Sequence, residues 1–220
     1  MTTSELDRLK AAAAAVAAAL VEDGMIVGLG SGSTASLAVS ILGRRVSDGL
    51  RIIGIPTSEQ TDREARRLGI PLSTLAEHDH IDVTIDGADQ VAPDGWLVKG
   101  GGGAHVREKI VAAAAERFVV MVDSGKPVEA LTPPVPLELS GFGLRATLRA
   151  LNNAELRDAP PSPDGGVLAD YAAPFADPGE LAAWLAAMPG VVDHGLFPPE
   201  MVSDVLVGRG TEVQALELTA

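Results

Sequence analysis

The chain has 220 residues, 46% of them apolar and 21% charged, the make-up of a folded globular protein with a substantial core. Thirty Asp and Glu against 17 Lys and Arg leave a formal charge of −13, which excludes a broad nucleic-acid-binding face. The absence of cysteine excludes disulfides, thiolate metal sites and a Cys nucleophile.

The first element is a helix. Residues 11–20 are almost all alanine, the strongest helix former, and Ser4 with Asp7 reads as an N-cap and its N3 partner. Glu5 and Asp7 stand where a signal peptide would be basic, and the apolar run is far short of the ~20 residues a membrane span needs. A cytoplasmic location without membrane contact is therefore expected. Strands are then predicted at 25–29, 51–55, 81–86, 96–99 and 118–123, with helices at 34–42, 59–69 and 104–116 between them. That alternation predicts a Rossmann-like, mostly parallel sheet covered by helices.

The texture changes at TPPVP (132–136). Beyond it the pattern reads strand, helix 142–151, short strand, strand 166–172, helix 179–188 and strand 191–197. This is the order of a ferredoxin-like α+β unit. A last strand at 202–208 returns to the first sheet, so residues 1–131 with 203–220 are expected to form the α/β domain and 132–202 an inserted cap.

Several loops fall just past strands, where open α/β sheets bind ligands. GLGSGSTA (28–35) offers Gly28, Gly30 and Gly32 for tight turns, and Ser31, Ser33 and Thr34 as donors at a helix N-terminus. It lacks the Lys of a Walker loop and the third Gly of a dinucleotide fingerprint, leaving a small phosphate or carboxylate site or a plain turn. In PTSEQT (56–61), Thr57 and Ser58 either line the same crevice or, in the case of Ser58, cap the next helix.

DGADQV (86–91) puts Asp86 and Asp89 at a strand end, as an acid/base pair, as metal ligands or as an Asx turn. Lys99 and Lys126 in the same crevice weigh against a cation. VKGGGGAHVREKI (98–110) joins Lys99 to four glycines and then to Glu108, early in a helix. An ammonium, an amide-rich loop and a carboxylate together make an anion nest with a candidate base, unless Glu108 merely pairs with a nearby Arg. Only four Lys occur against 13 Arg, so Lys10, Lys99 and Lys126 draw notice, whereas Lys109 reads as ordinary surface. His78 and His80 read as a solvated loop, His105 borders the glycine loop within reach of a ligand, and His194 belongs to the cap.

The order GSGSTA, PTSEQT, DGAD, KGGGG, REKI, DSGK resembles the A-type ribose-5-phosphate isomerase family over essentially the whole chain. The resemblance implies interconversion of D-ribose 5-phosphate and D-ribulose 5-phosphate through an enediolate, in the non-oxidative pentose phosphate pathway. It assigns substrate contacts to Ser31, Gly32, Ser33, Thr34, Asp86, Gly87, Ala88, Asp89, Lys99, Gly100, Gly101, Gly102 and Lys126. The catalytic roles it implies fall on Glu108 as proton acceptor, Lys99 as oxyanion partner and Asp86 in ring opening. No metal or organic cofactor and no nucleic acid is implied, and a homodimer or homotetramer is. The chain departs from the family in Gln90, in its fourth glycine, in Asp7 where some members carry a phosphate-side Lys, and in segment 157–166, which looks peripheral. Arg8 or Lys10 would have to supply the missing donor. Two rivals remain: a non-catalytic sugar-phosphate sensor, which lacks here its usual DNA-binding module, and a nicotinamide-dependent dehydrogenase, whose fingerprint is incomplete.

Overall fold

Residues 3–210 and 212–218 are described in the computed structural model. The first part of the chain runs α1 (Thr3–Ala19), β1 (Ile26–Leu29), α2 (Ser33–Ser47), β2 (Ile53–Pro56), α3 (Glu59–Arg67), β3 (Ile81–Gly87), β4 (Gln90–Val91), β5 (Leu97–Val98), α4 (His105–Ala113) and β6 (Ala115–Asp123). The second runs β7 (Val135–Leu139), α5 (Leu144–Leu151), β8 (Ala154–Leu156), β9 (Val167–Tyr171), α6 (Pro178–Ala186), β10 (Val191–His194), β11 (Leu196–Phe197), β12 (Asp204–Arg209) and β13 (Glu212–Ala215).

The main sheet has the order β13-β12-β6-β3-β1-β2. All its pairings are parallel except β12 with β13, so the fold is the expected mostly parallel α/β sheet. The chain leaves β1 toward β2 on one side and returns through β3, β6 and β12 on the other. The topological switch therefore lies between β1 and β3, and a crevice opens beyond their C-terminal ends.

The alanine run has a packing reason as well as a propensity. Ala13, Ala14, Ala17 and Ala18 are fully buried with Val27, Val83, Val119 and Met121 in the largest core cluster. Small side chains let α1 lie close on the sheet: a Cβ on Gly208 of β12 would fall 2.0 Å from the Leu9 carbonyl oxygen. The expected cap at Ser4 falls on a side chain outside the described part. Among the described residues no helix is long and apolar enough to cross a membrane.

The four-stranded sheet has the antiparallel order β10-β7-β9-β8, which is the ferredoxin-like arrangement read from the sequence. Leu137, Leu139, Leu151, Leu181 and Leu185 form its core. One expectation fails. The 96–99 strand does not join the parallel sheet; Leu97–Val98 pairs antiparallel with β4 and with β11 in a separate three-stranded sheet. A strand of two residues is too short to cross the main sheet, and it serves instead to aim Lys99.

Candidate active site

Asp86 ends β3, Lys99 follows β5, and Glu108 lies one turn inside α4. These three elements bring the side chains together at the switch-point crevice. Lys99 Nζ lies 2.9 Å from Asp86 Oδ2 and 3.2 Å from Glu108 Oε2, and it also donates to the Gly87 carbonyl. Their side chains are 1% (Asp86), 3% (Lys99) and 6% (Glu108) exposed, so the charges meet in a dry environment where they act strongly.

Asp86 is fixed from behind. Its Oδ1 accepts from the backbone N–H of Ser31 (3.0 Å) and of Gly87 (2.7 Å). Gly30 makes room for it, since a Cβ there would fall 2.1 Å from Asp86 Oδ1. Gly28 likewise leaves space for Thr84, whose Oγ1 would be 2.1 Å from a Cβ. Only Gly32 of the three has a left-handed φ (88°), so two of the expected turn glycines are instead glycines of close approach.

Burial pushes the Glu108 carboxyl up to about 7, with Lys99 pulling it down and Asp86 pushing it further up. Burial also disfavours the Lys99 charge, but Asp86 and Glu108 outweigh that and hold the ammonium above its ordinary value. The site thus keeps a permanent cation beside a carboxylate poised near neutrality.

In front of the trio is a cavity of about 130 Å³. It is lined by Lys10, Ser31, Gly32, Ser33, Thr34, Gly87, Ala88, Asp89, Lys99, Gly100, Gly101, Gly102, Glu108 and Lys126. Every residue expected to touch substrate is on this wall except Asp86, which sits behind it. Asp89 Oδ2 accepts from Gly101 N–H (2.8 Å), tying the acidic loop to the glycine loop. Lys10 Nζ donates to Ser33 Oγ at 3.1 Å, so the cation that Asp7 seemed to displace is supplied one helical turn later.

The PTSEQT loop backs the site without lining the cavity. Thr57 Oγ1 lies 2.7 Å from Ser31 Oγ, Thr61 Oγ1 donates to the Gly30 carbonyl (2.9 Å), and Ser58 caps α3 through Thr61 N–H. Gln90 clamps Thr132 of the cap junction by two 2.8 Å bonds, which accounts for an amide at that position.

Three sequence expectations need correction. Lys109 is no surface residue: its ammonium donates to Asp193 Oδ1 (2.5 Å) and the His194 carbonyl (2.6 Å), and burial lowers its pKa. One face of α4 carries Glu108 toward the cavity and the adjacent position meets the cap. His105 is fully buried behind the glycine loop and does not line the cavity; burial holds its ring at about 4, hence neutral. His80, by contrast, lies in the solvated loop expected of it, half exposed, with Nε2 3.6 Å from Asp82 and 3.7 Å from Glu116 at the opposite end of β3. Segment 157–166 is not peripheral, because Arg157 reaches the glycine loop. That contact crosses 57 residues and had no local signal.

A larger groove of about 690 Å³ lies between α3, the 72–77 segment and α4. Its ionic groups pair with one another in solvent, as in Arg66–Asp62 at 2.7 Å and Arg63–Glu59 at 3.4 Å. Nothing there is poised to move a proton, and the chemistry belongs to the smaller cavity.

A proton acceptor held beside a fixed ammonium, under a wall of amides, hydroxyls and lysines, defines an α/β enzyme of acid–base chemistry on a small anionic substrate. Comparison with known proteins narrows the class. Residues 53–212 match the family model described as ribose 5-phosphate isomerase A (phosphoriboisomerase A). The chain is 49% identical to the ribose-5-phosphate isomerase A of Gloeobacter violaceus, over 98% of this chain and 99% of that one. It is 46% identical to that of Bradyrhizobium diazoefficiens, over 96% of each chain. Among solved structures, ribose 5-phosphate isomerase A from Methanocaldococcus jannaschii superposes with a TM-score of 0.90 at 38% identity, covering 94% of this chain and 97% of that one. A D-ribose-5-phosphate isomerase in complex with phospho-erythronic acid gives a TM-score of 0.91 at 35% identity, covering 96% and 99%. The chain belongs to the ribose 5-phosphate isomerase A family.

Proposed function

We propose that this chain interconverts D-ribose 5-phosphate and D-ribulose 5-phosphate, a step of the pentose phosphate pathway, with Glu108 as the base that carries a proton between C2 and C1. The observation that carries the assignment is the buried Glu108 carboxylate, near neutrality, 3.2 Å from the Lys99 ammonium on the cavity wall. A base with a pKa near the working pH can both accept a carbon-bound proton and return it.

In the open-chain aldose, Glu108 takes the C2 proton and the electron pair moves into a C1–C2 enediolate. Lys99 and the amides of Gly100 and Gly102 stabilise the oxygen charge as it develops. The hydroxyl proton passes from O2 to O1 along that edge, and Glu108 delivers its proton to C1. Asp86, behind the wall, keeps Lys99 charged and in place instead of touching the sugar, and Asp89 on the wall helps open the sugar ring. Ser31, Ser33 and Thr34 at the N-terminus of α2, with Lys10 and Lys126, hold the phosphate. Gly87 and Ala88 complete the wall. No step requires a metal, since the Lys99 ammonium occupies the place beside Asp86 and Glu108 that a cation would take.

The same reading divides the chain into a catalytic unit, 1–131 with 203–220, and a cap, 132–202. The four-stranded sheet within 135–194 supports that division. A homodimer or homotetramer in the cytoplasm is the expected form, and Phe142, exposed on the cap, is an apolar group a second copy would cover. The test is a coupled isomerase assay on ribose 5-phosphate with and without a chelator. Turnover unaffected by chelation is expected; binding without conversion would make the chain a sensor, and loss restored by Mg²⁺ would remove the role given to Lys99.

A further inference from the structure

Four consecutive glycines have almost no conformational preference of their own, yet Gly100 to Gly102 line the cavity in a defined arrangement. One turn bond closes the loop, from the Gly103 N–H to the Gly100 carbonyl at 3.0 Å, and contacts from outside fix the remaining freedom of its peptide planes. Two contacts come from the cap. Leu168 of β9 packs on the fourth glycine so closely that a Cβ on Gly103 would lie 2.5 Å from its Cδ1. Arg157, just past β8, donates from Nη1 to the Gly100 carbonyl at 2.8 Å and approaches the Gly101 carbonyl at 3.4 Å.

The guanidinium is itself immobilised. Its Nε and Nη2 hold Asp170 of β9 in a two-point pair at 2.8 and 2.6 Å, which leaves Nη1 pointing at the loop. In a trans peptide the C=O and the following N–H point in opposite directions. Pulling the Gly100 carbonyl toward the cap therefore turns the Gly101 N–H the other way, where it meets Asp89 Oδ2 at 2.8 Å. Pulling the Gly101 carbonyl does the same to the Gly102 N–H, turning it away from the cap, and Gly102 lines the cavity.

We propose that Arg157, oriented by Asp170, is a positioning residue through which the cap sets the peptide planes of the substrate-contacting glycine loop. It touches no reacting atom. The proposal deepens the isomerase assignment and rests on the glycine loop being part of the substrate site. Lys cannot replace Arg here, because one ammonium cannot make the flat two-point pair with Asp170 and also reach Gly100.

Arg157→Ala, Arg157→Lys and Asp170→Asn are compared with wild type for kcat/KM and unfolding temperature, with Glu108→Gln assayed alongside. A loop misplaced by a fraction of an ångström to about 1 Å is expected to cost about 10- to 100-fold in kcat/KM for both Arg157 variants. Added guanidinium at millimolar concentration should restore several-fold of the activity of Arg157→Ala and leave wild type unchanged, an effect that a purely structural defect would not give. Asp170→Asn should lose several-fold with an unfolding temperature near wild type, and it carries the test if Arg157→Ala does not fold. Wild-type kcat/KM in either Arg157→Lys or Asp170→Asn would overturn the proposal, as would a folded Arg157→Ala that guanidinium does not rescue. An active Glu108→Gln would sink the site assignment beneath it, whereas an inert Glu108→Gln with unimpaired Arg157 variants would sink only the positioning role.

Discussion

Strand β3 carries a basic side chain between two carboxylates at each end, and the two trios behave differently. At its C-terminal end Lys99 sits between Asp86 and Glu108 at 2.9 and 3.2 Å, all three almost wholly buried. At its N-terminal end His80 sits between Asp82 and Glu116 at 3.6 and 3.7 Å, with side chains 49%, 35% and 73% exposed. The three groups of the second trio are also spaced as metal ligands would be, a pattern common among exposed acidic groups without an ion. Geometry alone does not separate the trios. Water does: screened pairs contribute ~0–1 kcal/mol, while buried charges perturb one another strongly and cost several kcal/mol if left unpaired.

The comparison is sharpened most by removing each central basic side chain. Lys99→Met leaves two buried carboxylates facing each other, and kcat should fall by about 10²–10³-fold with the loss of an oxyanion partner. Stability at pH 8 should drop by about 3–5 kcal/mol, the usual cost of breaking a buried pair. The deficit should shrink on acidification, because the stranded carboxylates have folded pKa values raised above their unfolded ones and gain stability by protonation as pH falls. Denaturant unfolding at pH 8 and pH 5.5 checks this; the same deficit at both would contradict it.

A second effect concerns titration. With Glu108 near 7, kcat/KM of the wild type should fall as pH drops through about 7, because the base becomes protonated. Asp86 pushes that value up, so Asp86→Asn should move the acid limb to lower pH as well as slow the reaction. A limb that stays put would mean that another group titrates.

Lys109 gives a smaller effect. Its two charge-assisted bonds join α4 to β10 at the cap seam, and Lys109→Ala should cost about 2 kcal/mol in unfolding free energy. At the exposed trio, His80→Ala should lie within ~0.5 kcal/mol of wild type and leave kcat unchanged. Equal costs at the two positions would erase the distinction between buried and solvated clusters.

The contrast also marks what the residues alone could tell. The parallel sheet was legible because each strand is a short apolar run between helical segments, and the cap because its strand and helix order has few other solutions. The meeting of Asp86, Lys99 and Glu108 was legible because each follows a strand or opens a helix at the crevice end of such a sheet. Lys109 was misread because it is one position from Glu108, and only packing tells which face of a short helix meets the cap. Gly30 was read as a turn residue although its role is to admit Asp86, a contact across 56 residues of sequence. Arg157 gave no signal, since its partners Gly100 and Asp170 are near it only in the folded chain.

The central claim is that Glu108 moves a carbon-bound proton, and solvent exchange tests it most directly. Ribose 5-phosphate incubated with the enzyme in D₂O should acquire deuterium at C2 as the reaction approaches equilibrium, read by NMR. With Glu108→Gln, exchange and isomerisation should fall together by about 10²–10⁴-fold, the usual contribution of a general base. Sugar-phosphate affinity should change far less, since the phosphate contacts proposed above, Lys10, Lys126 and the α2 N-terminus, are untouched by the substitution. Exchange and turnover within a few-fold of wild type in Glu108→Gln would contradict the account.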